Sequence, residues 1–137
     1  MAFTVIPYGQ FPASAANGNF NWTDNDINVA LLDDGYTPDV DTDVEWSDVS
    51  AHELTSDGYA QQTLANKTIT YVAARKENVF DADDVVFSGS PAAQYAVIFD
   101  SITGYLLGYC DFGTLVSSYV SIGLRWPAEG IYSGIAS

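Results

Sequence analysis

The chain has 137 residues, with 4 Lys and Arg against 18 Asp and Glu and a formal net charge of −14. That length suits a single domain over residues 1–137, and 47% hydrophobic with 14% aromatic content supplies a core and excludes a disordered chain. The charge argues against nucleic acid and against anionic membranes, because both need clustered cations and Lys67, Arg75 and Lys76 are the nearest thing to a cluster.

In chain order, residues 1–21 read as an N-terminal arm rich in small residues, with Tyr8 and Phe11 as apolar anchors. Residues 1–10 lack a basic stretch followed by an apolar one, so no signal peptide is read there. Phe11-Pro12-Ala13-Ser14-Ala15-Ala16-Asn17-Gly18 predicts one short helix, with Pro in its first turn and Gly just past its end. Ile27-Asn28-Val29-Ala30-Leu31-Leu32 is a β-type run closed by the turn Asp33-Asp34-Gly35. Residues 36–46 hold Pro38 and spaced acids and read as a long loop, and residues 50–54 as a single helical turn. Lys67-Thr68-Ile69-Thr70-Tyr71-Val72 alternates as a strand with one wet face does.

Val79-Phe80 and Val85-Val86-Phe87 flank the acidic turn Asp81-Ala82-Asp83-Asp84. Tyr95-Ala96-Val97-Ile98-Phe99 is apolar throughout and predicts a central strand covered on both faces, as does the run 105–112 after the tight connection Ser101-Ile102-Thr103-Gly104. Val120, Ile122, Leu124 and Trp126 alternate with small or polar residues, and residues 131–135 close the series as a final strand. The sum is an all-β domain of about 7–8 short strands, a β-sandwich or jelly-roll-like fold with one N-terminal helix.

Catalytic chemistry finds little footing. The one histidine, His52, has no nucleophile signature near it, and the one cysteine, Cys110, lies in an apolar run and reads as a buried thiol that cannot form an internal disulfide. Asp39, Asp41 and Asp43 open like a calcium loop, but Val44 stands where the loop needs Gly and Ser50 where it needs Glu. An irregular calcium site there, or at Asp81, Asp83 and Asp84, competes with plain solvated acidic loops. No enzyme activity, metal or cofactor is expected. Apolar runs stay below the roughly 18 residues that span a bilayer, so folding in a reducing cytoplasm is the expectation.

Binding is the better expectation. Tyr8, Trp22, Tyr36, Trp46, Tyr59, Tyr119 and Tyr132 fall at strand ends or in loops, and Tyr and Trp are enriched at interfaces. With Phe11 in place of the last two, they give six interface candidates: Tyr8, Phe11, Trp22, Tyr36, Trp46 and Tyr59. The alternative for each ring is packing over the ends of the sandwich, and for the arm, packing along its edge.

Several stretches, in order, resemble a family of small structural proteins of tailed phages and prophages. They are Trp22-Thr23-Asp24-Asn25-Asp26-Ile27-Asn28-Val29-Ala30-Leu31-Leu32, Gly35-Tyr36-Thr37-Pro38-Asp39, Gly58-Tyr59, Phe80-Asp81-Ala82-Asp83-Asp84-Val85, Ala93-Gln94-Tyr95-Ala96-Val97-Ile98-Phe99-Asp100, Leu107-Gly108-Tyr109-Cys110-Asp111-Phe112-Gly113, and Trp126 with Gly130-Ile131. The chain departs from that pattern after Gly58, where Ala60-Gln61-Gln62 replaces further glycines. The resemblance, over residues 8–131, implies a virion protein, most plainly a capsid decoration (cement) protein whose partner is the major capsid protein. A tail, baseplate or head-fibre component and a glycan- or receptor-binding module are the alternatives. A monomer in solution is expected from the charge, with a homo-oligomer on the virion left open.

Overall fold

The computed structural model describes residues 4–55, 58–89, 91–117 and 121–135, excepting the side chains of 121, 134 and 135. Along it run β1 (Ile6–Pro7), the helix α1 (Phe11–Ala16), β2 (Ile27–Leu32), two 3-10 turns (Trp46–Asp48 and Ser50–His52), β3 (Gln62–Thr63), β4 (Thr68–Val72), β5 (Glu77–Asp81), β6 (Val85–Ser88), β7 (Ala92–Asp100), β8 (Leu106–Ser117), β9 (Ser121–Leu124) and β10 (Tyr132–Ile135). The fold is all-β and sandwich-like, as the sequence predicts. Tyr119 and Val120, both assigned roles by the sequence reading, lie outside the described residues.

Three antiparallel sheets share the strands. The largest has the order β1-β8-β7-β2-β3, a second β10-β5-β4, and a third pairs β6 with β9. β7 sits in the middle of the largest sheet and is buried over nearly its whole length, which is why its sequence is apolar without alternation. One face of this sheet (Ile27, Val29, Leu31, Ala96, Ile98, Leu107) packs with Val85 and Phe87 of β6, Ile122 and Leu124 of β9, and Phe11 of α1. Each such fully buried Leu, Ile or Phe contributes about 1.5–3 kcal/mol of transfer free energy.

The opposite face carries a second cluster of Ala30, Leu32, Val97, Phe99 and Leu106, covered by Tyr8, Tyr36 and Val49. Here the acidic loop 33–53 acts as the cover. It is strapped down by the bridges Leu32–Glu53 and Glu45–Tyr105, and by the Gly9 N–H donating to Val40 O at 2.8 Å. Two bulges, between Ala93 and Tyr95 and between Ile98 and Phe99, each shift the β7–β8 register. That shift lets Tyr95 and Tyr109 face the loop while Ala93, Leu107 and Cys110 face the sandwich core.

The count of ten strands among the described residues exceeds the seven or eight read from sequence. The additions are β1 and β3, each two residues long and too short to carry a period. The helix ends as predicted: Asn17 N–H donates to Ala13 O at 2.9 Å, and Gly18 follows with φ of +78°, a conformation costly for other residues. The turn Trp46–Asp48 was not foreseen within the long loop. It is held by the Asp48 carboxylate, which accepts the N–H groups of Val44 and Glu45 at 3.0 Å each.

Candidate interaction surface

The six interface candidates are corrected first, because most of them point inward. Tyr8, Phe11, Trp22 and Tyr36 are each at most 4% exposed. Tyr36 donates its hydroxyl proton to Asp43 Oδ2 at 2.7 Å. Its one proton being spent, Tyr8 is the donor in the 2.7 Å bond between the two hydroxyls. Burial pushes both phenols well above their ordinary value, and for Tyr36 the bond to the Asp43 carboxylate adds to it.

Trp46 and Tyr59 are half-buried. Trp46 stacks on Phe99 at 4.3 Å and 8°, and Tyr59 lies over Phe87 at 6.2 Å. Tyr59 donates to Glu53 Oε2 at 2.7 Å and accepts the Leu31 N–H at 3.0 Å, securing the chain against the margin of β2. The physical reason for the correction is common to these rings. Each has an apolar body that packs on the core, and the hydroxyls of Tyr8, Tyr36 and Tyr59 and the indole N–H of Trp22, which donates to Thr68 O at 3.2 Å, find partners within the fold, so a loop position in sequence becomes a core position in space. The same applies to the N-terminal arm, whose anchors Tyr8 and Phe11 could have served to dock it on a partner: they fix the arm to its own domain.

The acidic clusters serve turns. Asp39 Oδ1 accepts the N–H groups of Asp41 and Thr42, and Asp43 Oδ2 accepts that of Asp39 as well as the Tyr36 hydroxyl. Asp81 caps the Ala82 N–H, Asp83 takes the Asn66 amide at 2.6 Å, and Asp84 takes the Trp126 N–H at 2.9 Å. Among the described residues no group of three or more His, Cys, Asp and Glu is arranged to hold a metal ion. His52 faces Asp33 at 3.4 Å beside the ring of Tyr36. Cys110 is fully buried, its thiol pushed up to about 12 by that burial.

What remains at the surface is centred on β4. Among the described residues it is the longest strand at a sheet edge, paired on one side to β5 and to no strand on the other. Ile69 is 47% and Tyr71 54% exposed, large values for such side chains. Tyr132, Phe80 and Ile69 are register partners and form one row across the sheet, with Tyr71 and Asn78 in the next row on the same face.

Beside this face lies α1. A shallow groove of about 530 Å³ runs between them, lined by Phe11, Pro12, Ala16, Asn78, Phe80 and Tyr132. An adjoining hollow of about 290 Å³ is bounded by Phe20, Trp22, Thr23 and Ile69. Two of the candidates thus line these depressions, Phe11 the groove and Trp22 the hollow, in edge or tilted contact with Phe20 (5.0 Å) and Phe80 (5.3 Å) respectively.

Charge distinguishes the same place. Lys67 precedes β4, and Arg75 and Lys76 sit in the turn that follows it, so three of the chain's four cations flank one strand. Lys67 lies 5.9 Å from the Trp22 ring centre and donates to Asn25 O, and Arg75 pairs with Glu77 at 2.9 Å. Lys76 is exposed and makes no ion pair among the described residues. The sequence marked these cations only as too few for nucleic acid; their position at the two ends of one exposed strand needed the topology.

The chain matches no protein-family model, and neither a curated protein nor a solved structure matches it.

Proposed function

We propose that this protein is a virion structural protein of a tailed phage, a capsid decoration (cement) protein that docks on the outer shell through the face of β4. The observation that carries the reading is the coincidence, in an acidic β-sandwich, of the longest sheet edge among the described residues, exposed Ile69 and Tyr71, and three of the chain's four cations. A binding protein needs such a patch, while a chain that functions alone benefits from hiding it. The ordered resemblance over residues 8–131 supplies the phage setting, and the major capsid protein is then the partner. Many copies on one lattice turn modest individual contacts into durable attachment when they also contact one another.

Purified protein mixed with heads that lack it is expected to co-sediment with them at about micromolar concentration, a range in which a specific contact of ordinary strength is populated. Heads that pellet alone would contradict the reading. Binding to tails and not to heads would shift it to a tail or baseplate component. A glycan-binding reading has one feature in its favour, the near-parallel rings of Phe80 and Tyr132 (5.4 Å, 28°) in an open groove. Hits on a bacterial polysaccharide array that vanish in Tyr132→Ala would support that reading instead.

A further inference from the structure

We propose that the outer edge of β4 accepts an extended, acidic segment of a partner polypeptide as a fourth strand of the β4-β5-β10 sheet. This names the partner's chemistry at the surface described above and rests on the docking reading.

The edge itself makes the first argument. An unpaired strand offers a row of backbone donors and acceptors, and proteins that do not use such edges blunt them with charges, prolines, bulges or very short strands. The two outer strands of the largest sheet, β1 and β3, follow that rule by being two residues long. β4 does not. Its five residues, Thr-Ile-Thr-Tyr-Val, are all β-formers, contain no charge and no proline, and pair with β5 without a register shift. Residues 68–71 are exposed, and of their backbone groups Thr68 O accepts the Trp22 indole N–H at 3.2 Å. Such an edge is prepared for strand addition, in which main-chain hydrogen bonds supply affinity and alternate side chains supply specificity.

The flanks choose the partner. Lys67 stands at one end of the strand and Arg75 and Lys76 at the other, in a chain whose other cation is Arg125. An incoming strand with acidic residues beyond its ends meets these cations, and one with basic ends is repelled. The same charges argue against a second copy of this chain. Antiparallel pairing of two β4 strands about Thr70 sets Lys67 opposite Ala73, which brings the turn holding Arg75 and Lys76 of each copy toward Lys67 of the other. Like charges facing across a strand pair oppose that arrangement.

The side chains fit as well. Ile69 and Tyr71 share the face that continues into the groove beside α1, so alternate side chains of an added strand find apolar neighbours on that side. On the opposite face, Thr68 and Thr70 offer hydroxyls.

The test uses the full chain, isotope-labelled for amide NMR, and two synthetic peptides of roughly ten residues, a length that spans one strand with its flanks. Both carry a Thr-Val-Thr-Val core; one has Glu and Asp flanks, the other Lys flanks. The acidic peptide is expected to shift the amides of residues 67–72 and to bind at least about tenfold more tightly at low salt, with the gap closing as salt rises. The double variant Ile69→Ser, Tyr71→Ser, whose substitutions fall at exposed positions and leave the charge unchanged, is expected to weaken binding at least about tenfold while amides of β7 and β8 keep their shifts.

Equal binding of the two peptides, shifts confined to other elements, or no shift at about 1 mM peptide would each overturn the proposal. So would concentration-dependent dimerisation that shifts the same amides without peptide, which would assign the edge to a second copy. The two readings fail separately. If the double variant still co-sediments with heads, attachment to the shell stands, while strand addition and the β4 face as its seat both fall. If the acidic peptide binds at β4 but heads do not bind the wild-type protein, the reverse holds.

Discussion

Asp100 is the one fully buried carboxylate among the described residues, and no cation faces it. It is held by N–H donors instead: Asn21 N at 3.0 Å and Asn25 Nδ2 at 2.8 Å on one oxygen, Ile102 N at 2.9 Å and Thr103 N at 3.2 Å on the other. Burial alone would raise its pKa, but these four bonds outweigh burial and keep it below the ordinary 3.8. A depressed value means that its stabilisation is complete above 3.8 and lost as pH falls through the folded-state value. Asp100→Asn turns an acceptor into a donor against those N–H groups and is expected to cost about 3 kcal/mol in urea unfolding at neutral pH. The gap between variant and wild type should narrow once the pH drops below that range. A gap independent of pH would contradict the assignment.

The buried phenols carry the opposite sign. With Tyr8, Tyr36 and Tyr59 raised, the neutral forms stabilise the fold below the ordinary value of 10.0, and that contribution fades as pH climbs above it. Tyr36→Phe removes the link between Tyr8 and Asp43 and is expected to lower stability by about 1–2 kcal/mol at neutral pH. In an ultraviolet titration, these three phenols should ionise only together with alkaline unfolding. Ionisation of all nine tyrosines near their ordinary value in the folded protein would refute their burial.

Among the elements, β1 depends on a close approach. A Cβ at Gly108 would stand 2.7 Å from Ile6 O and 2.8 Å from Val5 Cγ1, so only glycine lets β1 lie against β8. Gly108→Ala is expected to loosen β1 at a cost of about 2 kcal/mol. The reporter is the Tyr8 amide, which donates to Leu107 O at 3.0 Å and should lose hydrogen-exchange protection. Unchanged protection would show that β1 tolerates the extra carbon.

Elements with a strong period were legible in the sequence, and those set by topology were not. Ile27–Leu32 announced a strand through its β-type run closed by a turn, and Tyr95–Phe99 announced a central one because burial on both faces leaves no polar positions there. The alternation of Thr68–Val72 announced a strand, but its place at a sheet edge depends on which strands meet, and alternation holds no record of that. The candidate surface was legible only in part. Phe11 and Trp22 line the groove, whereas Tyr8 and Tyr36 were misplaced because a loop residue that folds back over a sheet has the same composition as one that faces a partner.

At the scale of the whole molecule, the charge of −14 opposes compaction through self-repulsion, and added salt screens it. Raising salt from about 0.05 M to 0.5 M should therefore raise the melting temperature by a few degrees, about 2–5 °C. Salt should act in the reverse direction on docking if the cations beside β4 attract an acidic partner. On the docking reading proposed above, the acidic surface would keep free copies apart and the cations beside β4 would select what they attach to. The central claim is that this attachment is to a capsid shell. Cryo-electron microscopy of heads incubated with the protein tests it most directly: the account predicts density repeated across the shell, with the β4 edge turned toward the capsid protein. Bare shells, or density confined to the tail or to one vertex, would contradict it.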